Sequence, residues 1–383
     1  MKILFIAHSG EFSGGANRSL LTLMVGLREQ YGVLPGVLIP GKNTPLEKRC
    51  KRIGIPVYTA PYHTCCTVFR HTPKDLLRVG KLLLAPLLDR REAKRLNQTL
   101  PDDFDLYYTN ERMICVGGYL AHLRSKPHVW HVRSFSRANR TWFPPFWYQR
   151  MNRNADKIIL VSRALYHDFS RHIQPEKLRT VYNGLEPERY LSNEHRPHTG
   201  FRLLLTGRLT PVKGQEDALR ALYLLVRQYG ADASLSFAGQ APTYEGQDYA
   251  RHLRGLTAQL GLESRVSFLG EVDDLGAIRA ETDVELVCSG MEPFGRTTVE
   301  GMMAGLPVVG CNTGGTAEII LDGITGLLYP PQDVNALAEK LNWLREHPEK
   351  AAEMGRAGQK RALQCFTAQR TVSGVMEVLH ELT

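Results

Sequence analysis

Short apolar runs that end in a glycine or a polar residue recur along the chain, and segments with helical spacing separate most of them. KILFIAH, LYYTN, HVWHVR, KIILVS, TVYNG, RLLLTGR, ASLSFAGQ, RVSFLG, VELVCSG and LPVVGCN all read as strands. Strands alternating with helices predict parallel sheets, in which ligands bind at the carboxyl ends of strands where the strand order reverses. The pattern is interrupted by a polar stretch with a proline and a glycine, residues 191–200 (LSNEHRPHTG), directly before a new buried strand expected over Phe201–Thr206. That places a boundary between two doubly wound α/β domains, 1–190 and 191–365, with a cleft between them suited to a two-part substrate. In the last segment, 366–383, Val372, Val375, Met376 and Leu379 share one face of a helix.

Composition narrows the class. With 383 residues, 43% hydrophobic and 23% charged, the chain can build packed cores throughout, which excludes a disordered or fibrous protein. The apolar run at the start, Ile3 to Ala7, is too short for a signal-peptide core, and Leu82 to Leu88 is broken by Pro86, so no membrane span and a cytoplasmic location are expected. Seven scattered cysteines without a C-x-x-C pair suggest a reducing compartment and no zinc site. Charge is unevenly shared. Residues 1–190 carry 30 Lys and Arg against 15 Asp and Glu, whereas the remainder carries 18 against 24. A basic first half points to a surface that meets phosphate or an anionic membrane.

Two segments carry candidate chemistry. In TGRLTPVKGQEDALRAL (206–222), Gly207 permits a tight turn after a strand, Arg208 and Lys213 project from the loop, and a helix starts near Gln215. Two cations beside a helix N-terminus suit a diphosphate, although two solvated surface cations would look the same. In SGMEPFGRTTVEGMMAGLPVVGCNTGGTAEII (289–320), Glu292 lies in the loop after a strand and Glu300 about one turn into the next helix. Carboxylates so placed accept hydrogen bonds from sugar hydroxyls, and the amides of Gly295, Arg296 and Thr297 remain for phosphate oxygens. Alternatively, Glu300 is an ordinary surface carboxylate and Glu292 a helix cap.

The run EPFGRTTVEGMMAGLPVVG, with GGTAEII and DGITGLLYPPQD, resembles the retaining nucleotide-sugar glycosyltransferases of family four, which have the GT-B fold. The resemblance extends through SGGANRSL, WHVR, VSRALYHDF, VYNGLEPERY and GRLTPVKG, in the family's order. It implies two Rossmann-like domains facing a cleft, acceptor-binding and donor-binding respectively, with the C-terminal helix 366–383 packing back on the first. Arg208 and Lys213 are implied to hold the donor diphosphate, Glu300 the ribose, and Glu292 the transferred sugar, with Phe294 and Gly295 close by. Gly14 and Gly15 are implied to let backbone approach the phosphate, and His131 to reach the sugar; a buried core histidine is the alternative. Asn17, Asn110, Arg133 and Arg137 are candidate acceptor contacts. Asn110 stands where many members have histidine, and Gly301 where alanine is usual. The family is described by a front-face mechanism without metal or other cofactor, so the D-x-D of Asp103 and Asp105 is expected to be structural.

The basic residues Arg70, Lys74, Arg78, Lys81, Arg90, Arg91, Lys94 and Arg95 surround Leu82, Leu83, Leu84, Leu87 and Leu88, and arginines alternate with aromatics from Arg133 to Arg153. Both could meet a membrane or pack internally. The implied partners are a UDP- or GDP-sugar and a lipid-linked or cell-envelope glycan at the inner membrane face, with no nucleic acid. A GT-B epimerase or hydrolase, and a non-catalytic nucleotide-sugar-binding partner, are the competing readings.

Overall fold

The structure, a computed structural model, describes the chain apart from residues 13–14, 69–73, 137–140, 143–145, 192–195 and 242–243, and the side chains of 67–68, 74–76, 141–142 and 244–245. Gly14, Arg70 and Arg137 therefore lie outside the described residues. The backbone forms two units, Met1–Gly184 with Ala368–Thr383, and Leu185–Thr367. The division falls at Gly184/Leu185 rather than at 190/191, because backbone pairing sets it. The Leu185 N–H donates to the Phe366 carbonyl at 2.9 Å, whereas the Gly184 N–H donates to Thr371 Oγ1 at 2.6 Å.

The first unit contains, in order, β1 (Lys2–Ala7), α1 (Gly15–Tyr31), β2 (Leu34–Ile39), α2 (Pro45–Arg52), β3 (Val57–Thr59), β4 (Thr67–Val68), α3 (Lys74–Thr99), β5 (Leu106–Asn110), α4 (Val116–Leu123), β6 (His128–Val132), β7 (Thr141–Trp142), α5 (Trp147–Asn154), β8 (Lys157–Leu160), α6 (Arg163–Phe169) and β9 (Leu178–Thr180). Seven strands form a parallel sheet in the order β3-β2-β1-β5-β6-β8-β9, and β4 pairs with β7 in an antiparallel ribbon. Strands β5 and β6 are buried along their whole length, as in a parallel sheet covered on both faces. Side chains start two of those helices: Thr44 Oγ1 accepts from the Glu47 N–H at the head of α2, and Ser162 Oγ from the Leu165 N–H at the head of α6. The strand order reverses between β1 and β5, with Ala7 in register with Asn110 and Asn110 with His131. The carboxyl ends of these three strands therefore open at one place.

The second unit contains β10 (Phe201–Thr206), α7 (Gln215–Arg227), β11 (Ala233–Ala238), α8 (Tyr244–Gln259), β12 (Val266–Gly270), α9 (Gly276–Ala280), β13 (Val284–Val287), α10 (Arg296–Met303), β14 (Val308–Cys311), α11 (Thr316–Ile319), β15 (Leu327–Tyr329), α12 (Val334–Glu346) and α13 (Pro348–Cys365). Its sheet is parallel in the order β12-β11-β10-β13-β14-β15, and the reversal lies between β10 and β13. The last helix, α14 (Ala368–His380), buries Val372, Val375, Met376 and Leu379 in the core of the first unit with Leu20, Leu23, Met24 and Leu27 of α1. The two helices approach so closely at Gly26 that a methyl group there would meet Val372 Cγ2 at 2.5 Å.

Several side chains singled out in the sequence take definite places. Trp147 is fully buried and meets Trp130 edge-on, with centroids 5.6 Å apart, so it belongs to the core of the first unit and not to a membrane-dipping loop. Within α3, Leu82 is buried, whereas Leu77, Leu83, Leu84, Leu87 and Leu88 are exposed. Asp103 and Asp105 both bind Lys2, through its ammonium at 2.5 Å and its backbone N–H at 2.7 Å.

Candidate functional site

In the second unit, the loop after β10 and the loop after β13 meet at the switch point. Gly207 follows β10 with φ +152°, the exposed Arg208 comes next, and a short turn, Pro211–Lys213, delivers Lys213 just before α7. The buried Gln215 holds this loop by donating from Nε2 to the Arg208 carbonyl at 2.9 Å. Lys213 Nζ then donates to Glu292 Oε2 at 2.7 Å, so two residues 79 positions apart form one ion pair. Both side chains keep some access to solvent, and each can exchange its partner for a ligand.

The loop that carries Glu292 is supported from beneath by the glycine pair of TGGTAE. A methyl group at Gly314 would meet the Glu292 carbonyl oxygen at 2.3 Å, and one at Gly315 the Phe294 carbonyl oxygen at 2.0 Å. The Gly315 N–H donates to the Glu292 carbonyl at 2.8 Å. Phe294 is buried and meets Phe366 edge-on, which fixes the turn into α10. Gly295 caps that helix with φ +110°, and the first amides of α10, from Arg296 and Thr297, point out of its end. Such an end attracts anions.

Glu300 is not a free surface carboxylate. It lies between Arg279 Nη2 at 3.3 Å and Arg296 Nη2 at 3.7 Å. Arg279, itself 3% exposed, also makes a two-pronged pair with the fully buried Glu285 of β13, at 2.8 and 2.9 Å. Burial opposes the charge on Arg279, but Glu285 and Glu300 together hold its pKa above the ordinary value. Tyr190 lies over the same guanidinium, and burial beside Glu300 pushes its hydroxyl up to about 12. The glycine at 301 has a physical reason here: a methyl group there would meet Glu285 Oε2 at 2.8 Å. A cavity of about 680 Å³ opens at the amino ends of β10, β13 and β14, the opposite end of this sheet from Lys213 and Glu292.

The first unit has its own polar cluster at the ends of β1, β5 and β6. His131 is fully buried, and its Nδ1 faces the Tyr108 hydroxyl at 2.5 Å and Arg133 Nη2 at 3.2 Å. A guanidinium can only donate, so Nδ1 accepts and the proton sits on Nε2. Burial, with Arg133 adjacent, holds the imidazole well below its usual pKa and therefore neutral. Nε2 has no partner among the described residues, which leaves one N–H donor from a neutral ring.

Arg133 gives its other donors to Asn110 Oδ1 at 2.7 Å and to Asn183 Oδ1. Asn17 donates to the carbonyls of Ser9 and Glu11, holding the loop after β1, and Gly15 opens α1 on the exposed side. Asn110 Nδ2 also donates to the Ala16 carbonyl at 3.3 Å, so Asn17, Asn110 and Arg133 are buried and hold the strand ends and the loop after β1, and Arg133 orients His131.

Sequence reasoning missed His8, Glu111, Arg112 and Asn183. Glu111, immediately after β5, has φ +90°, a left-handed conformation that few non-glycine residues adopt. Its carboxylate accepts from the Arg112 N–H and the Ser134 hydroxyl, and burial lowers the pKa of nearby His8 while Glu111 opposes that shift. The signal available was a Glu-Arg pair immediately after a wholly buried strand.

Comparison with known proteins accords with this geometry. Residues 188–361 match the model of "Glycosyl transferases group 1", and residues 13–189 match that of "Glycosyltransferase Family 4". The glycogen synthase of Mycobacterium tuberculosis is 30% identical over 232 residues, 59% of this chain and 54% of that protein. The N-acetyl-alpha-D-glucosaminyl L-malate synthase of Bacillus anthracis is 27% identical over 237 residues, 60% of each. These alignments span about half to three fifths of the relatives' lengths. Among solved structures, Anabaena HepE in complex with UDP superposes with a TM-score of 0.81 over 100% of both chains at 27% identity. A glycosyltransferase of Rickettsia africae shares the fold, with a TM-score of 0.79 at 18% identity over 100% of this chain and 98% of that one. With two parallel-sheet units, each matched by its own family model, the chain belongs to the group 1 glycosyltransferases of GT-B fold.

Proposed function

We propose that the chain transfers a sugar from a nucleoside diphosphate sugar, with UDP the first candidate, to a glycan or lipid-linked acceptor at the inner face of a membrane, with retention of anomeric configuration. The Lys213–Glu292 ion pair beside the amino end of α10 carries this reading. When a donor enters, Lys213 and Arg208 turn to the diphosphate, the amides of Arg296 and Thr297 take phosphate oxygens, and Glu292 is released to accept from the sugar's hydroxyls. Glu300, oriented by Arg279, accepts from the ribose. The UDP bound by HepE supports the choice of base.

In the reaction, the bond between the anomeric carbon and the diphosphate oxygen breaks, and the acceptor oxygen bonds to that carbon on the same face. The departing phosphate accepts the acceptor's proton. Two cations and a helix end stabilise the negative charge that develops on it, the task a divalent metal performs in other transferases. His131, neutral and protonated on Nε2, is a hydrogen-bond donor rather than a proton acceptor at the ends of β1, β5 and β6. Titration with UDP, GDP and CMP tests the donor. The preferred nucleotide at about 100 times its Kd adds roughly 2.7 kcal/mol and raises the melting temperature; no shift with any of the three at millimolar concentration overturns the reading.

The exposed side of α3 supports the location. Leu77, Leu84, Leu87 and Leu88 are exposed on this helix, and Lys81, Arg90, Arg91, Lys94 and Arg95 are exposed around them. Each cation near anionic lipid contributes about 1 kcal/mol, added to apolar insertion. No helix among the described residues is long and apolar enough to cross a membrane. Sedimentation with phosphatidylglycerol vesicles is expected to capture the protein, and Leu84→Asp with Leu87→Asp to release it. Equal sedimentation of both forms would remove α3 from the proposal.

A further inference from the structure

Beneath α3, on the side facing the core of the first unit, three potential metal ligands converge. Cys65 Sγ lies 2.7 Å from Cys115 Sγ, and these two sulfurs and a carboxylate oxygen of Asp89 all fall within 4.8 Å of one another. Asp89 is fully buried, and both cysteines are buried with it. The ligands come from three separate segments fixed by backbone pairing. The Cys65 N–H donates to the Met113 carbonyl, next to an antiparallel bridge between Thr64 and Ile114; Cys115 stands at the head of α4; and Asp89 belongs to α3.

The carboxylate is the informative member. Its Oδ1 accepts from the backbone N–H of His63 at 3.0 Å and faces His63 Nδ1 at 3.1 Å, but Oδ2 has no partner among the described residues. A buried carboxylate oxygen without a donor carries a desolvation cost that a cation would remove. A disulfide between the two cysteines would leave Oδ2 as it is. A cation bound by all three groups engages Oδ2 and both sulfurs at once.

We propose that Cys65, Cys115 and Asp89 form a binding site for a thiophilic divalent cation of the zinc type, with its fourth position toward the exposed His63 or water. Thiolate, imidazole and carboxylate are the ligands that zinc takes in tetrahedral sites. With zinc–sulfur bonds of about 2.3 Å, tetrahedral geometry sets the sulfurs about 3.8 Å apart, so binding parts them by roughly 1 Å. Charge also balances. Two thiolates and a carboxylate with a divalent cation leave one net negative charge, and Arg150 Nη1 lies 4.0 Å from Cys115 Sγ to offset it. The site joins α3 to the loop before β4 and to α4, and it is independent of the donor chemistry in the second unit.

The test uses the whole chain, reduced and freed of metal with a chelator, then titrated with cadmium. The sulfur-to-cadmium charge-transfer band in the ultraviolet is expected to reach its plateau at one equivalent, to be lost in Cys115→Ser and weakened in Asp89→Asn, and to persist in Cys365→Ser. Cobalt added to the unaltered protein provides a reading that needs no variant: intense visible bands of a tetrahedral thiolate site are expected. Weak six-coordinate bands, a cadmium band that survives Cys115→Ser, or a Cys65–Cys115 disulfide that persists after the reduction step would each overturn the proposal.

Discussion

Lys213→Ala is expected to lower the rate of UDP release in the presence of acceptor by about 10²–10³-fold, the usual cost of removing one preorganised group that stabilises transition-state charge. The reason lies in the ion pair. Nζ donates to Glu292 at 2.7 Å, so the substitution removes a cation from the diphosphate and also leaves the Glu292 carboxylate uncompensated beside an anionic donor. Two anions then face each other in the loop, and donor affinity falls together with kcat. Glu292→Gln separates the two effects, because it retains Lys213 for the phosphate while removing one acceptor from the sugar. The alanine variant is expected to lose the nucleotide-dependent rise in melting temperature, and the glutamine variant to keep it while losing turnover. If Lys213→Ala binds the nucleotide as tightly as the unaltered chain, the lysine does not contact phosphate.

Arg279→Leu is expected to destabilise the second unit by about 3–5 kcal/mol, the cost of leaving a buried charge without its partner. Glu285 is fully buried in β13, and its two carboxylate oxygens are taken by that one guanidinium. For a unit of this length the loss corresponds to a fall in melting temperature of roughly 10 °C. Calorimetry checks it, and the paired substitution Arg279→Leu with Glu285→Leu should recover much of the loss, because two apolar side chains need no partner. A small effect of the single substitution would mean that water reaches Glu285 and that the arginine does not organise Glu300 either.

Strands β1, β5, β6, β8 and β10 to β14 were legible because each is a short apolar run ended by a turn, whereas β2, β3, β15 and the β4–β7 ribbon were not read as strands, and the run TVYNG begins only at the last residue of β9. Phe201–Thr206 coincides with β10, and α7 begins at Gln215. Arg208, Lys213, Glu292 and Glu300 were legible as candidates because each stands beside a strand end or a helix start, whereas the pairing of Lys213 with Glu292 joins positions 79 apart. What sequence reasoning missed depends on contacts between distant positions. Arg279 orients Glu300 from 21 residues upstream, and Cys65 and Cys115 lie 50 apart, so no spacing rule relates them. The expectation of no zinc site rested on the absence of a C-x-x-C pair, a signal that covers local motifs alone. In α3 the basic and apolar composition was plain, but Asp89 is buried while the neighbouring Leu88 is exposed, an orientation set by α4 and by the loop of His63. The aromatic stretch around Trp147 stayed open between membrane contact and internal packing for the same reason, since the partner of Trp147 at the head of α5 is Trp130 of β6.

The place of α14 has a consequence for synthesis. Its apolar face is part of the core that α1 begins, yet 183 residues of the second unit are made between Gly184 and Ala368. At about 5–20 residues per second, the first unit waits roughly 10–40 s on the ribosome for its last helix. The second unit is continuous in sequence and can close as soon as Thr367 emerges. The half of the molecule that is translated first is therefore the half that completes its fold last, with Leu20, Leu23, Met24 and Leu27 uncovered until Val372, Val375 and Leu379 arrive.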